Sequence, residues 1–251
     1  MKNICWNITS RCNKNCNYCF KFNRKELSLE ENIKILEELK KRNIKKISWS
    51  GGEPFLYENI NVLLKRSHEN GILNYVNTNA SLLDCNNIKE NLLYVDKIII
   101  SLDFVNDSMN FKKGIGKNYY ENVKKVIELI RLIDKYTIIQ INTVLYSDNF
   151  YLIDDLYNEL KMLDIDMWKI IRFFPVRGIA LERKESLEVK DADFKRIVAK
   201  YSKKKQKFNI VIHGLNEMKK RHYIILSSGK LICSENGLDL EIEDLNKEVL
   251  F

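Results

Sequence analysis

Three cysteines in one short run, Ser10-Arg11-Cys12-Asn13-Lys14-Asn15-Cys16-Asn17-Tyr18-Cys19-Phe20, constrain this chain more than any other feature. The interleaved asparagines disfavour helix and strand, so the thiols sit in a loop, and thiolates this close can converge on one soft metal centre. No fourth sulfur lies nearby. A structural zinc site or an electron-transfer cluster takes a closed set of four ligands. A trio of thiolates on a 4Fe-4S cluster instead leaves one iron open to a small molecule. The competing reading, a chance group of buried thiols, suits a polar loop poorly, because free cysteine is usually an apolar filler.

Around this loop, strand-like and helix-like runs alternate at short spacing, the pattern of a parallel sheet with helical crossovers. Ile4 to Thr9 is the first strand. Ser28 and Glu31 make a capping box, after which Ile33, Leu36 and Leu39 keep helical spacing to about Arg42. Lys46 to Ser50 is the second strand, Leu56 to Asn70 a helix stopped by Gly71, and Leu73 to Asn77 the third strand. Lys97 to Ser101, β-branched and apolar, reads as a strand buried on both faces. A helix over Tyr120 to Leu132, a strand over Thr137 to Leu145, a helix over Leu152 to Leu163 and a strand over Trp168 to Phe173 complete six units. From Asp191 the pattern changes to an amphipathic helix reaching about Lys203. Three short apolar runs follow, Phe208 to Ile212, Tyr223 to Leu226 and Lys230 to Cys233, and Ser227-Ser228-Gly229 between the last two signals a hairpin.

A chain of 251 residues, 45% of them hydrophobic, is long enough for one substantial core. No apolar run is long enough to suggest a membrane span, and Met1-Lys2-Asn3 leads into the first strand without a leader, so no membrane association is expected. Cys5, Cys85 and Cys233 are scattered, a reduced and hence cytoplasmic pattern rather than a disulfide framework. The formal charge of +8 suits an anionic small molecule. Lys40-Lys41-Arg42 and Lys203-Lys204-Lys205 read as helix ends rather than nucleic-acid patches.

Downstream of the cysteines, directly after the second strand, stands Ser50-Gly51-Gly52-Glu53-Pro54. Cys-x3-Cys-x2-Cys with an aromatic, Tyr18, before the last cysteine, followed by this Gly-Gly-Glu-Pro, resembles the radical S-adenosylmethionine (SAM) family. The resemblance implies an α/β fold: a partial (β/α)6 radical SAM barrel over residues 1–190 with a short C-terminal α+β cover over 191–251. It also implies a 4Fe-4S cluster on Cys12, Cys16 and Cys19, whose open iron chelates SAM. An external one-electron donor then drives cleavage to a 5′-deoxyadenosyl radical. Active residues of such barrels lie at strand C-terminal ends, where Cys12, Gly51, Asn79, Asp103 and Arg172 fall. Tyr18, Gly51, Gly52, Glu53 and Ser101 become candidate SAM ligands, with Glu53 on the amine and Ser101 on the carboxylate. Lys112, in the basic glycine-bearing loop Lys112 to Lys117, joins them as an anion contact. As bare residues, Asn79, Ser101 and the glycine motif also read as ordinary turn formers.

Within that family the chain is similar to the viperin group, which dehydrates CTP to 3′-deoxy-3′,4′-didehydro-CTP. The similarity runs through Lys46-Ile47, Ser50 to Leu56, Asn79-x-Ser81-Leu82, Ile141-Asn142-x-Val144 and Trp168-Lys169. It implies that Lys46, Ser50 and Lys169 bind a nucleotide substrate, while the wider family resemblance implies that Asn79 is a substrate-binding polar group near the substrate or the sugar. A lysine inside a parallel strand is costly unless an anion meets it, which suits that role. The group has asparagine, lysine and arginine where this chain has Cys5, Gln140 and Met167. Arg172 and Arg177, in the loop after the sixth strand, are the candidates to restore the missing charge. The chain is expected to act as a monomer. The alternatives are radical chemistry on another anionic metabolite or a peptide, and a non-catalytic cluster-binding sensor.

Overall fold

The computed structural model describes residues 3–20 and 22–242. The expectation about Met1 and Lys2, and the end of the C-terminal segment, lie outside the described residues. In chain order the elements are β1 (Asn3–Thr9), α1 (Leu29–Lys41), β2 (Lys46–Gly51), α2 (Ile60–Glu69), β3 (Leu73–Thr78), α3 (Cys85–Asn91), β4 (Lys97–Ser101), α4 (Asp107–Lys112), α5 (Tyr119–Ile133) and β5 (Ile138–Leu145). There follow α6 (Ile153–Leu160), β6 (Met167–Arg172), α7 (Gly178–Glu182), α8 (Lys184–Leu187), α9 (Asp191–Tyr201), β7 (Asn209–His213), α10 (Leu215–Met218), β8 (His222–Ile225), β9 (Leu231–Glu235) and β10 (Leu238–Ile242).

The ten strands form one sheet in the order β10-β9-β8-β1-β2-β3-β4-β5-β6-β7, parallel from β8 through β7. The chain is therefore α/β, with the six expected strands in sequence order at the centre. The segment after residue 190 joins this same sheet at both edges. β7 adds a parallel strand beside β6, and β8 pairs with β1 before turning back into β9 and β10. The expected boundary at 190 thus coincides with no edge of the sheet. The hairpin between β8 and β9 closes with Gly229 at φ +80, where the Leu226 carbonyl accepts its N–H at 2.8 Å.

Strand alternation decides what each face does. Ile4, Trp6, Ile8, Ile47, Trp49, Val76, Ile98, Ile100, Ile139, Ile141, Trp168 and Ile170 are buried beneath the helices. Their neighbours, Cys5, Asn7, Ser48, Ser50 and Asn77, point the other way and are half-buried. Two of these tryptophans have bonded indoles, whereas Trp6 is held by stacking on Trp49 with ring centroids 5.1 Å apart. Trp49 Nε1 donates to Asn74 Oδ1 at 2.7 Å, and Trp168 Nε1 to Thr143 Oγ1 at 2.9 Å. Fully buried Asn74 also donates to the Leu64 and Tyr94 carbonyls, tying β3 to α2 and to the chain before β4.

The α1 capping box forms as the sequence suggests: Ser28 Oγ accepts the Glu31 N–H and Glu31 returns a bond to the Ser28 N–H. Short elements escape sequence reading because one or two turns give no periodicity to count. These include α3, capped by Asp84, and α4, capped by Asn106. The strand β10 does alternate, Leu-Asp-Leu-Glu-Ile, but it is an edge strand with Leu238 and Leu240 exposed.

Candidate active site

The C-terminal ends of the central strands surround a cavity of about 410 Å³. Cys5 and Asn7 of β1, Ser48, Ser50 and Gly51 of β2, Asn77 and Thr78 of β3, Ser101 of β4 and Val144 of β5 line it, with Ile224 of β8. Cys12, Cys16 and Cys19 line the same cavity together with Lys14, Tyr18 and Phe20.

The cysteine loop is clamped from two sides. On one, Gly52 N–H donates to the Thr9 carbonyl at 2.7 Å and Glu53 N–H to the Arg11 carbonyl at 2.8 Å. A β-carbon on Gly52 would lie 1.8 Å from the Arg11 oxygen, and one on Gly51, whose φ is +135, 2.2 Å from the Thr9 oxygen. The close approach that demands these glycines is to the chain's own cysteine loop. On the other side, Asn15 N–H donates to the Gly114 carbonyl at 3.0 Å and Asn17 N–H to the Lys113 carbonyl at 3.3 Å. A β-carbon on Gly114 would meet the Asn15 oxygen at 2.1 Å.

That second clamp corrects an expectation. The loop from Lys112 presents carbonyls to the cysteine loop, not N–H groups to an anion. Lys112 itself ends α4, exposed and outside the cavity lining.

Glu53 is fully buried and stands behind the lining. Its carboxylate accepts from Thr78 Oγ1 at 2.7 Å, Asn79 N–H at 2.7 Å and Phe55 N–H at 3.3 Å, fixing the end of β3 against the glycine motif. Burial pushes its pKa up to about 7, against the pull of the Asn79, Thr78 and Phe55 donors. A carboxyl raised in the folded state stabilises fully below its ordinary value of 4.5 and loses that contribution as pH rises through about 7. In the cluster-free protein the melting temperature of wild type relative to Glu53→Gln is therefore expected to fall between about pH 5 and pH 8. A difference that is flat over that range in parallel thermal melts would refute the assignment.

Asn79 lines the cavity and is bonded into the loop, its Nδ2 donating to Asn13 Oδ1 at 3.0 Å. Ser50 Oγ donates to Asn7 Oδ1 at 2.5 Å, and Cys5 Sγ lies 3.1 Å from the same hydroxyl. Tyr18 is packed against Tyr146 and is held by Asp103, which sequence reasoning noted at a strand end but gave no role. Asp103 is buried in the cavity wall and accepts the Val144 N–H at 2.8 Å. Burial lifts its pKa to about 7. Asn7, Asn77 and Tyr119 also line the cavity. Strand alternation alone would have placed both asparagines on the inward face.

The arginines divide. Arg177 lines the cavity, but Asp239 of β10 accepts from both its Nε and Nη2 at 2.6 and 2.5 Å, and it lies over Phe22 at 4.2 Å. Arg172 is buried on the helix side of β6, where Nη2 donates to the Val189 carbonyl at 2.7 Å and to Asp191 at 2.6 Å, over the Phe194 ring. Its expected substrate role fails on alternation, since Lys169 and Arg172 lie an odd number of residues apart and so occupy opposite faces. Lys46 and Lys169 do face inward, but outside the cavity lining.

The three thiols fit a cluster better than an ion. Among the described residues no group of His, Cys, Asp or Glu is gathered to hold a single metal ion. A sulfur-bridged cluster spreads its ligands over several irons. Burial, then Asp103 and the other two cysteines, push the Cys16 thiol up to about 12, so its thiolate calls for a cationic centre beside it.

A parallel sheet whose strand ends enclose a cavity, with a three-thiol loop clamped onto its rim, defines a cluster-dependent enzyme of the partial-barrel class. The sequence profile of the Radical SAM superfamily matches residues 6–172, and the chain belongs to that superfamily, whose members use a 4Fe-4S cluster and SAM. It is 28% identical over 243 residues to an S-adenosylmethionine-dependent nucleotide dehydratase of Flammeovirga pacifica, covering 90% of this chain and 80% of that one. A protein of the same description from Fibrobacter sp. is 29% identical over 263 residues, covering 93% and 77%. Among solved structures, Streptococcus suis SuiB superposes with a TM-score of 0.76 at 17% identity, over 99% of this chain but 64% of SuiB's length. That likeness extends to the fold. No helix of the described residues is long and apolar enough to cross a membrane.

Proposed function

We propose that this chain is a SAM-dependent dehydratase of a nucleoside triphosphate, CTP-like, converting it to the 3′-deoxy-3′,4′-didehydro form. The observation that carries this reading is one cavity lined both by the three thiols and by uncharged hydrogen-bonding side chains, Asn7, Ser48, Ser50 and Asn77, suited to a sugar. Similarity to nucleotide dehydratases over nine-tenths of the chain supports it.

In this reading Cys12, Cys16 and Cys19 hold the cluster. Tyr18, Gly51, Gly52 and Ser101 border the SAM site, and Glu53 shapes it from behind. When bound, cluster and SAM together supply a 5′-deoxyadenosyl radical able to remove a ribose hydrogen. The protein's part is positioning and exclusion. Ser50, fixed by Asn7, and Asn79, fixed by Asn13, present oriented polar groups to the sugar. Ile115, Val144 and Ile224 give the cavity apolar walls that keep water from the reacting carbon. Lys46, Lys169 and Arg177 meet the phosphates. The enzyme works as a monomer in the cytoplasm, with an external one-electron donor, and its six cysteines, none of them in a disulfide among the described residues, suit that reducing compartment.

The test is anaerobic reconstitution with SAM, a reductant and each nucleoside triphosphate in turn, following 5′-deoxyadenosine and nucleotide mass. Stimulation by CTP with a product lighter by one water is the expected result. SAM cleavage that no nucleotide stimulates would overturn the reading.

A further inference from the structure

The basic, glycine-bearing run Lys112 to Lys117 stands out in the sequence, and the function proposed above leaves its side chains without a task. Its backbone braces the cysteine loop from outside. Asn15 and Asn17, on either side of Cys16, donate their N–H groups to the Gly114 and Lys113 carbonyls. The two backbones touch there, since a β-carbon on Gly114 would meet the Asn15 oxygen. A partner resting on the outer surface of this run is therefore one backbone layer from a cluster thiol.

That layer matters because an electron has to reach the cluster from outside. On its inner side the cysteine loop faces a cavity of about 410 Å³, room for small molecules and not for a protein. Toward Cys12 the loop is tied to the chain after β3, Asn13 Nδ2 donating to Ser81 Oγ at 2.8 Å. Toward Cys19 it is covered by α7, whose Ala180 N–H donates to the Cys19 carbonyl at 3.3 Å. Between these, Cys16 is reached from outside across the run Phe111 to Lys117.

The outer surface of that run carries charge and an aromatic ring. Lys112 and Lys117 are exposed. Among the described residues neither has a carboxylate within salt-bridge distance, whereas neighbouring Lys113 is paired with Asp148. Asp107, at the start of α4, accepts the Asn118 N–H at 2.8 Å. Phe111 is 61% exposed, and Lys117 Nζ lies 5.1 Å from the centre of its ring. An exposed aromatic beside unneutralised cations suits a transient interface with an acidic partner: the ring supplies contact area and the charges steer the encounter. The chain's own formal charge of +8 disfavours a second copy on the same spot.

We propose that Phe111, Lys112 and Lys117 form the docking surface for an acidic one-electron carrier protein, which delivers its electron through the backbone contacts beside Cys16. The need for an external carrier rests on the proposed function; the surface is this chain's own. One electron leaves the reduced carrier, which is oxidised by one, and one enters the cluster, which is reduced by one. No bond or proton is exchanged.

The test titrates anaerobically reconstituted protein with an oxidised acidic flavodoxin by calorimetry. It then follows 5′-deoxyadenosine release driven either by reduced flavodoxin or by reduced methyl viologen, a small molecule that needs no docking surface. The variants are the double Lys112→Glu, Lys117→Glu, the single Phe111→Ser, and a control double Lys203→Glu, Lys205→Glu. The control makes the same charge change at the opposite end of the strands, ahead of the start of β7. The Lys112, Lys117 double should weaken flavodoxin binding roughly 10- to 100-fold at low salt and Phe111→Ser about 10-fold, with the control close to wild type. Wild-type binding should weaken as ionic strength rises. Viologen-driven cleavage and melting temperature should stay at the wild-type level in all three. Unchanged binding in the Lys112, Lys117 double, an equal loss in the control, an equal loss of viologen-driven cleavage, or no binding of flavodoxin to wild type overturns the surface. Should Phe111→Ser lose stability, the charge double decides. Binding lost in that double, with viologen-driven cleavage that no nucleotide stimulates, would leave the surface standing and overturn the nucleotide reading. Nucleotide-stimulated cleavage with flavodoxin binding unchanged in the double would do the reverse.

Discussion

Gly52→Ala is expected to abolish cluster loading and, with it, all SAM cleavage, although it touches no cysteine. The added β-carbon would sit 1.8 Å from the Arg11 carbonyl oxygen and 2.4 Å from its carbon. Both are backbone atoms, which cannot swing aside as a side chain would. Relief requires pushing the strand end away from Ser10 to Cys12, breaking the bonds from Gly52 N–H to Thr9 and from Glu53 N–H to Arg11. The thiols then lose their common orientation toward the cavity, and misplacing a reacting assembly by about 1 Å already costs about a hundredfold. The measurement is iron and acid-labile sulfide per chain after anaerobic reconstitution, with circular dichroism to show that the sheet persists. Wild-type iron content with normal 5′-deoxyadenosine release would show that the clamp does not matter.

Arg172→Ala is expected to cost stability rather than substrate affinity. The residue is 7% exposed, and its side chain bonds the Val189 carbonyl and Asp191 and covers the Phe194 ring. Its removal takes away the contacts that hold the start of α9 to β6 and leaves a buried carbonyl without its donor. Losses of this kind run to about 2–4 kcal/mol. A fall in melting temperature with unchanged KM for the activating nucleotide fits the observed packing. A raised KM at unchanged stability would return Arg172 to the substrate site.

These two residues show where sequence reading reached and where it stopped. The Gly-Gly pair was recognisable by its place after a strand, but its steric partner, a carbonyl in the cysteine loop, is some 40 residues earlier in the chain and visible only in three dimensions. Arg172 stood at a strand end in a motif-like run, the right neighbourhood. Its face is fixed by the pleat relative to Lys169, and an assignment by strand end alone ignores that parity. Lys112 to Lys117 looked like an anion loop because glycine beside lysine signals one; the glycine at 114 is there because Asn15 passes too close for a side chain. Asp103 gave no pattern signal, since a lone acid after a strand is commonplace until the fold surrounds it with Tyr18, Tyr146 and Cys16.

The sequence by itself determined the thiol trio, the glycine motif and the order of the six central strands, because each is written in local spacing that backbone geometry must obey. Tertiary structure alone decided which run braces the cysteine loop from outside, that Asp239 holds Arg177, and that the last strands extend both edges of the sheet. Those outcomes depend on which distant segments the closing core brings into contact, and no local period encodes that.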